Sequence, residues 1–139
     1  MGPRKRVKLA YLDASAVVKL FESEPESGAL EAALGGSVLW TSSEIVAVEA
    51  WCAARRVDRP DRLMRVEEVL SKIELLAFGP EIRDRAAEPF ARPLRALAAI
   101  HAATALTLRD DLDAFFAYDL NLSSAVAAEG LSVASPGAG

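Results

Sequence analysis

Two short apolar runs in this chain end on an aspartate, Tyr11-Leu12-Asp13 and Ala117-Tyr118-Asp119, and helical spacing follows each directly. This strand–acid–helix order, met twice, constrains the fold more than any other feature. Around it, short β-rich runs alternate with helical stretches, as expected of an α/β domain with a central, mostly parallel sheet flanked by helices. In an open parallel sheet, ligands bind outside the carboxyl ends of the strands. Two acids placed there meet if their strands are neighbours.

Periodicity and punctuation predict strands over residues 7–12, 37–40, 74–78, 114–118 and 131–134. Helices are predicted over 15–22, 25–34, 43–56, 58–73, 80–90, 93–108 and 120–129. Gly35-Gly36, Gly79-Pro80 and Gly130 mark stops. Thr41, Ser42 and Ser43 read as N-cap hydroxyls, and Thr41 with Glu44 fits a capping box. Residues 58–73 are clearly amphipathic, with Leu63, Val66, Val69, Leu70 and Ile73 on one side. That face and the one over 26–34 are candidate surfaces for a partner protein. A length of 139 residues suits one compact domain, read here as 1–139 with 1–6 and 135–139 as flexible tails.

Composition narrows the chemistry. With 52% apolar and 26% charged residues, general disorder is excluded. No apolar run approaches the ~18–20 residues of a membrane span. The basic start, Arg4-Lys5-Arg6, is followed too soon by Asp13 to read as a cleaved export signal. Cys52 is the single cysteine, which rules out an internal disulfide and a cysteine zinc site and fits a reducing compartment, the cytoplasm. His101 is the single histidine, so a multi-histidine metal cage is excluded too. A bound cation would be held by oxygen, which favours magnesium or manganese. The net charge of −4 speaks against a simple sequence-blind nucleic-acid binder. Arg55, Arg56, Arg59, Arg62 and Arg65 nevertheless form a basic group that would suit RNA phosphates, an acidic partner segment or plain solvent. Phosphate loops of the Walker type and a Gly-x-Ser-x-Gly elbow are absent.

Each candidate site residue has two readings. Asp13 and Asp119 cap the helices that follow them or ligate a metal. Glu49 lies in the apolar text Ile45-Val46-Ala47-Val48-Glu49-Ala50-Trp51, where a carboxylate is out of place unless it is paired or metal-bound. Alternatively it faces Arg55 or Arg56 as an ordinary helix residue. Ser15 caps its helix or hydrogen-bonds a metal-bound water. His101 is a satisfied core histidine or points toward the acids. Lys19 reads as a solvated helix residue, and Trp40 and Trp51 as core or interface aromatics.

The order of these residues resembles the PIN domain, and within it the VapC-type toxins of toxin–antitoxin pairs. The resemblance runs through Leu12-Asp13-Ala14-Ser15-Ala16-Val17-Val18-Lys19-Leu20, then Thr41-Ser42-Ser43 with Glu49 and Arg55-Arg56. It continues through residues 94–106, and ends with Phe115-Phe116-Ala117-Tyr118-Asp119 leading to Gly130-Leu131 and Ser135-Pro136-Gly137. It implies a Mg2+- or Mn2+-dependent endoribonuclease whose metal-site acids are Asp13, Glu49 and Asp119. It also implies a cognate antitoxin, an RNA substrate and a homodimer.

One departure stands out. The family's long helix usually reads Leu-Asp-Ala-Ile-His, whereas this chain reads Leu97-Ala98-Ala99-Ile100-His101. Ala98 occupies the expected fourth acid position, and a methyl group ligates neither a cation nor its water. The resemblance therefore implies a weakened or inactive nuclease. Two rivals remain on the residues alone. One is a non-catalytic PIN-like module that binds RNA or an antitoxin. The other is a receiver-type signalling domain, against which stand the single Asp13 and the lack of a lysine in Val133-Ala134-Ser135-Pro136.

Overall fold

The computed structural model describes residues 8–36 and 38–138, so the expected tail over residues 1–6 lies outside the described residues. Five strands, β1 (Lys8–Leu12), β2 (Val38–Ser43), β3 (Ile73–Leu76), β4 (Ala114–Phe116) and β5 (Val133–Ala134), form one sheet in the order β3-β2-β1-β4-β5. Every pairing is parallel. The helices are α1 (Ala14–Phe21), α2 (Ser27–Ala33), α3 (Ile45–Arg55), α4 (Pro60–Ser71), α5 (Pro80–Ala86), α6 (Ala96–Leu106) and α7 (Leu120–Ala128).

Alternation along the central strands builds two cores. Ala10 and Leu12 of β1 join Phe116 of β4 on one face, while Tyr11 and Phe115 turn to the other. Strands covered on both faces read as continuous apolar runs, as these do. The first core is closed by Val17 and Leu20 of α1, Leu30 of α2, Val46 and Ala50 of α3, and Val66 and Val69 of α4. The second is closed by Ala102 and Ala105 of α6 and by Leu122 and Val126 of α7. α5 packs on α6. The result is the expected α/β architecture of helix layers on a parallel sheet. Among the described residues no helix is long and apolar enough to cross a membrane.

Several local expectations change. Thr41, Ser42 and Ser43 belong to β2, because the strand runs on to Ser43 alongside β3. Thr41 Oγ1 donates to the Glu74 carbonyl and Ser42 Oγ to the Leu12 carbonyl, so neither caps a helix; Ser43 Oγ accepts the Ile45 N–H at the start of α3, as the cap reading expected. Glu44 forms no capping box; its Oε1 accepts the Phe78 N–H at 2.7 Å. α5 stops at Ala86, short of Glu88-Pro89, since proline disfavours helix in the residue before it. The apolar faces over 58–73 and 26–34 are turned inward: Val66, Val69, Leu30 and Leu34 are buried in the first core and unavailable to a partner. Ser135 and Pro136, read as loose tail, are tied down. Ser135 Oγ donates to the Ala117 carbonyl at 2.5 Å, and the Tyr118 hydroxyl donates to the Pro136 carbonyl at 2.8 Å. Gly130 closes α7 with φ +92°, a left-handed turn that glycine alone adopts cheaply.

α2 meets the core chiefly through Leu30, its single buried residue. Leu30→Ala should therefore cost about 2–5 kcal/mol of stability, the usual range for truncating a buried leucine. Denaturant unfolding measures this, and the acid cluster, on other elements, should be untouched.

Candidate active site

The strand order reverses between β1 and β4: β2 and β3 lie to one side of β1, and β4 and β5 lie to the other. That switch point opens a crevice at the carboxyl ends of the two strands. β1 and β4 are hydrogen-bonded neighbours in the register Leu12↔Phe116. The ladder continues one step further, with the Asp13 N–H donating to the Phe116 carbonyl at 3.1 Å. Asp13 thus leaves β1 beside the end of β4, three residues before Asp119.

Both aspartates are helix caps. Asp13 Oδ1 accepts the Ala16 N–H at 2.9 Å and the Ser15 hydroxyl at 2.7 Å. Asp119 Oδ1 accepts the Leu122 N–H at 2.9 Å. Capping and ligation are not exclusive here, because among the described residues only Oδ1 of each is engaged by a hydrogen bond. Ser15 joins the two strand ends: it donates to Asp13 and accepts the Tyr118 N–H at 3.0 Å. The environments differ. Asp13 is only 4% exposed, whereas Asp119 is exposed to solvent. Burial pushes the Asp13 carboxyl above the usual aspartate range. The Ser15 and Ala16 hydrogen bonds pull it back down, His101 assists them, and the Glu49 charge adds to the rise.

Glu49 comes from α3 and faces neither Arg55 nor Arg56. Its Oε1 lies 2.6 Å from His101 Nε2 on α6. Glu49 and Ser15 line one cleft of about 670 Å³ with Val18, Lys19, Arg56 and Leu97. His101 is 2% exposed and satisfied on both ring nitrogens, since Nδ1 lies 2.7 Å from the Tyr11 hydroxyl. The core reading of this histidine and the site reading both hold. Ala98 sits one turn before His101 on α6, half-buried against the second core that includes Leu122.

Tyr11 is the residue that sequence reasoning passed over. Its hydroxyl accepts the Ser43 N–H at 3.1 Å, and its ring stacks on Phe115 at 5.0 Å. A tyrosine inside an apolar strand run was the available signal, since a buried phenol needs a polar partner.

The basic group is dispersed. Arg62 pairs with Glu22 and lies over Phe21, Arg55 lies over Trp51, and Arg59 pairs with Asp61. Lys19 is held by Glu24 and Glu26, so it is not the freely solvated residue expected. Among the described residues, no lysine or arginine pairs with Asp13, Glu49 or Asp119. The donor set they offer is pure carboxylate oxygen, which suits a hard cation. No three His, Cys, Asp or Glu side chains among the described residues converge into a ready-made metal cage. The fit is to an ion such as Mg2+, which keeps several waters and takes only one or two carboxylates directly.

The chain is similar to known proteins over most of its length. The PIN-domain family model matches residues 10–129, and the chain belongs to the PIN-domain family. Within that family it stands with the VapC ribonucleases: it is 38% identical to Ribonuclease VapC35 of Mycobacterium tuberculosis over 133 residues, covering 93% of this chain and 98% of that protein. Two solved structures share the fold. VapBC2 from Rickettsia felis, bound to a DNA fragment from its promoter, superposes with a TM-score of 0.69 at 11% identity, covering 91% of this chain and 97% of that one. A toxin–antitoxin complex from Klebsiella pneumoniae gives 0.66 at 19% identity, again over 91% and 97%.

A buried carboxylate with a raised pKa costs stability once ionised. In a folded chain whose Asp13 pKa lies above the unfolded value, stability is greatest below the unfolded pKa and is lost as pH rises through the folded one. Asp13→Asn keeps a cap acceptor and removes the charge. In metal-free buffer at pH 7 this variant should melt higher than the parent. The gap should narrow as pH falls through the folded Asp13 pKa, which thermal unfolding at stepped pH reads directly.

Proposed function

We propose that this chain is the toxin of a toxin–antitoxin pair and a Mg2+- or Mn2+-dependent endoribonuclease, impaired as it stands because Ala98 replaces an acid. The observation that carries the reading is the pair of strand-end aspartates on neighbouring parallel strands, with Glu49 coupled to the buried one, in a chain of the VapC family.

Asp13, Glu49 and Asp119 would hold the ion. When bound, it would supply a hydrolytic water of lowered pKa and neutralise charge on the phosphoryl oxygens of RNA. The protein's part is positional. The two caps fix both aspartates to backbone N–H groups, Ser15 fixes one strand end to the other, and His101 fixes Glu49. With no cation, the carboxylates would repel one another and the RNA backbone, and the Glu49 charge already raises the Asp13 pKa.

The antitoxin partner has its own support. Three exposed apolar residues each stand next to a site position: Val48 (66% exposed) before Glu49, Leu97 (51%) before Ala98, and Leu120 (82%) after Asp119. Of these, Val48 and Leu97 line the cleft together with Glu49, and apolar side chains beside a carboxylate suit a partner segment that presents a cation flanked by apolar side chains. The homodimer and the cytoplasmic setting belong to the same proposal and follow from the family likeness.

Ala98 also favours a second reading, in which the chain keeps the PIN fold only to bind RNA or an antitoxin. One substitution separates the two. Ala98→Asp should bring Mg2+-dependent RNA cleavage and tighten Mn2+ binding at least about 10-fold, the lower end of what even an outer partner of a metal ligand contributes. A folded Ala98→Asp variant that still cleaves no RNA would leave the binding reading in possession.

A further inference from the structure

A chain of hydrogen bonds runs through the second core to Glu49, and its members come from four elements. The Ser43 N–H, at the end of β2, donates to the Tyr11 hydroxyl on β1 at 3.1 Å. The hydroxyl meets His101 Nδ1 on α6 at 2.7 Å, and His101 Nε2 meets Glu49 Oε1 on α3 at 2.6 Å. Tyr11 is fully buried, and His101 nearly so.

The proton positions follow from what each group can do. An ionised carboxylate only accepts, so Nε2 carries the proton. If the ring is neutral, the other nitrogen accepts and the Tyr11 hydroxyl donates to Nδ1. Tyr11 is fully buried, which disfavours the phenolate and keeps its proton in place. Its oxygen accepts from Ser43, so the chain of bonds begins at a backbone amide that cannot rotate. The ring is also fixed sterically, because Tyr11 and His101 meet edge to face at 5.7 Å and Tyr11 stacks on Phe115.

We propose that His101 is a positioning residue: held at Nδ1 by Tyr11, it holds Glu49 by Oε1 and leaves Oε2 for a cation in the cleft. The inference rests on reading Glu49 as a metal-site acid and extends that reading to two residues that touch no ligand. A glutamate has three rotatable bonds, and one on a half-exposed helix face would sample several orientations. The short bond to a fixed imidazole removes most of that freedom before the ion arrives. Histidine suits the position because its two nitrogens lie on opposite sides of one rigid ring and so can join a strand to a helix.

The experiment uses the full chain. His101 is its single histidine, so the side-chain 15N spectrum has one assignment. The expected spectrum shows a protonated Nε2 and an unprotonated Nδ1. Mn2+ titration then reads the consequence. Tyr11→Phe and His101→Ala should each weaken Mn2+ binding about 10-fold, within the range usual for an outer partner of a ligand. His101→Gln, which keeps an N–H near the Nε2 position, should recover part of the loss. On a Glu49→Ala background, Tyr11→Phe should have no further effect, whereas general loosening of the fold would persist there. A protonated Nδ1 in the parent overturns the proposal whatever the metal does. So does Mn2+ affinity that falls with Glu49→Ala but not with Tyr11→Phe. If Glu49→Ala leaves Mn2+ binding unchanged, the metal reading of Glu49 falls, and the role given to His101 falls with it. That pattern differs from the other two.

Discussion

The parallel pairing of β1 with β4 is the contact on which the site depends. These strands belong to opposite halves of the sheet, and only their adjacency brings Asp13 near Asp119 across more than one hundred residues of sequence. The pairing does not stop at the strand ends. It continues through the Asp13 N–H to Phe116, and then through Ser15, whose hydroxyl serves both Asp13 and the Tyr118 backbone. Side-chain bonds of this kind are worth about 1 kcal/mol each in stability. Their larger effect here is geometric, since they set the distance between two helix starts. Each aspartate is then fixed to its own helix by a cap, and a helix N-terminus favours negative charge. The fold therefore stabilises the two acids with its backbone before any ion is present.

That support is incomplete at Asp13, where burial outweighs the caps and the neighbouring imidazole, so the carboxyl stays hard to ionise. The imbalance is informative. A carboxylate kept purely for structure would be better off exposed or matched with an arginine, and among the described residues this one is neither. Its position makes sense as half of an interaction completed by a cation.

Much of this was legible in the sequence. The aspartates ending two strands, the α/β alternation and the amphipathic helix over 58–73 are local patterns, and local patterns survive into the fold. What was not legible depends on distant partners. Thr41 and Ser42 look like caps because their hydroxyls have no local rival; the neighbouring strands that claim them come from residues 12 and 74. The apolar faces over 26–34 and 58–73 look like docking surfaces until both are seen against one core. Tyr11 and His101, 90 residues apart, become a unit only when α6 lies against the sheet. Ambiguity over Asp13 and Asp119 was of another kind. Cap and ligand were weighed as rivals, but a carboxylate has two oxygens, and the cap uses only one.

The charge distribution bears on how a polyanion could approach. Cations are not scarce in the chain, but many are committed elsewhere: Lys19 to Glu24 and Glu26, Arg62 to Glu22, Arg85 to Glu129. Arg56 lines the cleft with no ion pair among the described residues. An RNA phosphate nearing the cleft would meet Glu49 and Asp13 with little standing positive potential to offset them. Electrostatic capture by the surface alone is therefore weak, as the net charge of −4 already suggests. If RNA is the substrate, its admission would depend on charge brought to the acids themselves. This makes the orientation of Glu49 consequential for more than hydrolysis, because a carboxylate free to swing away from a cation would uncover negative charge along the path of entry. A rigid tether from the Ser43 backbone through Tyr11 and His101 prevents that swing.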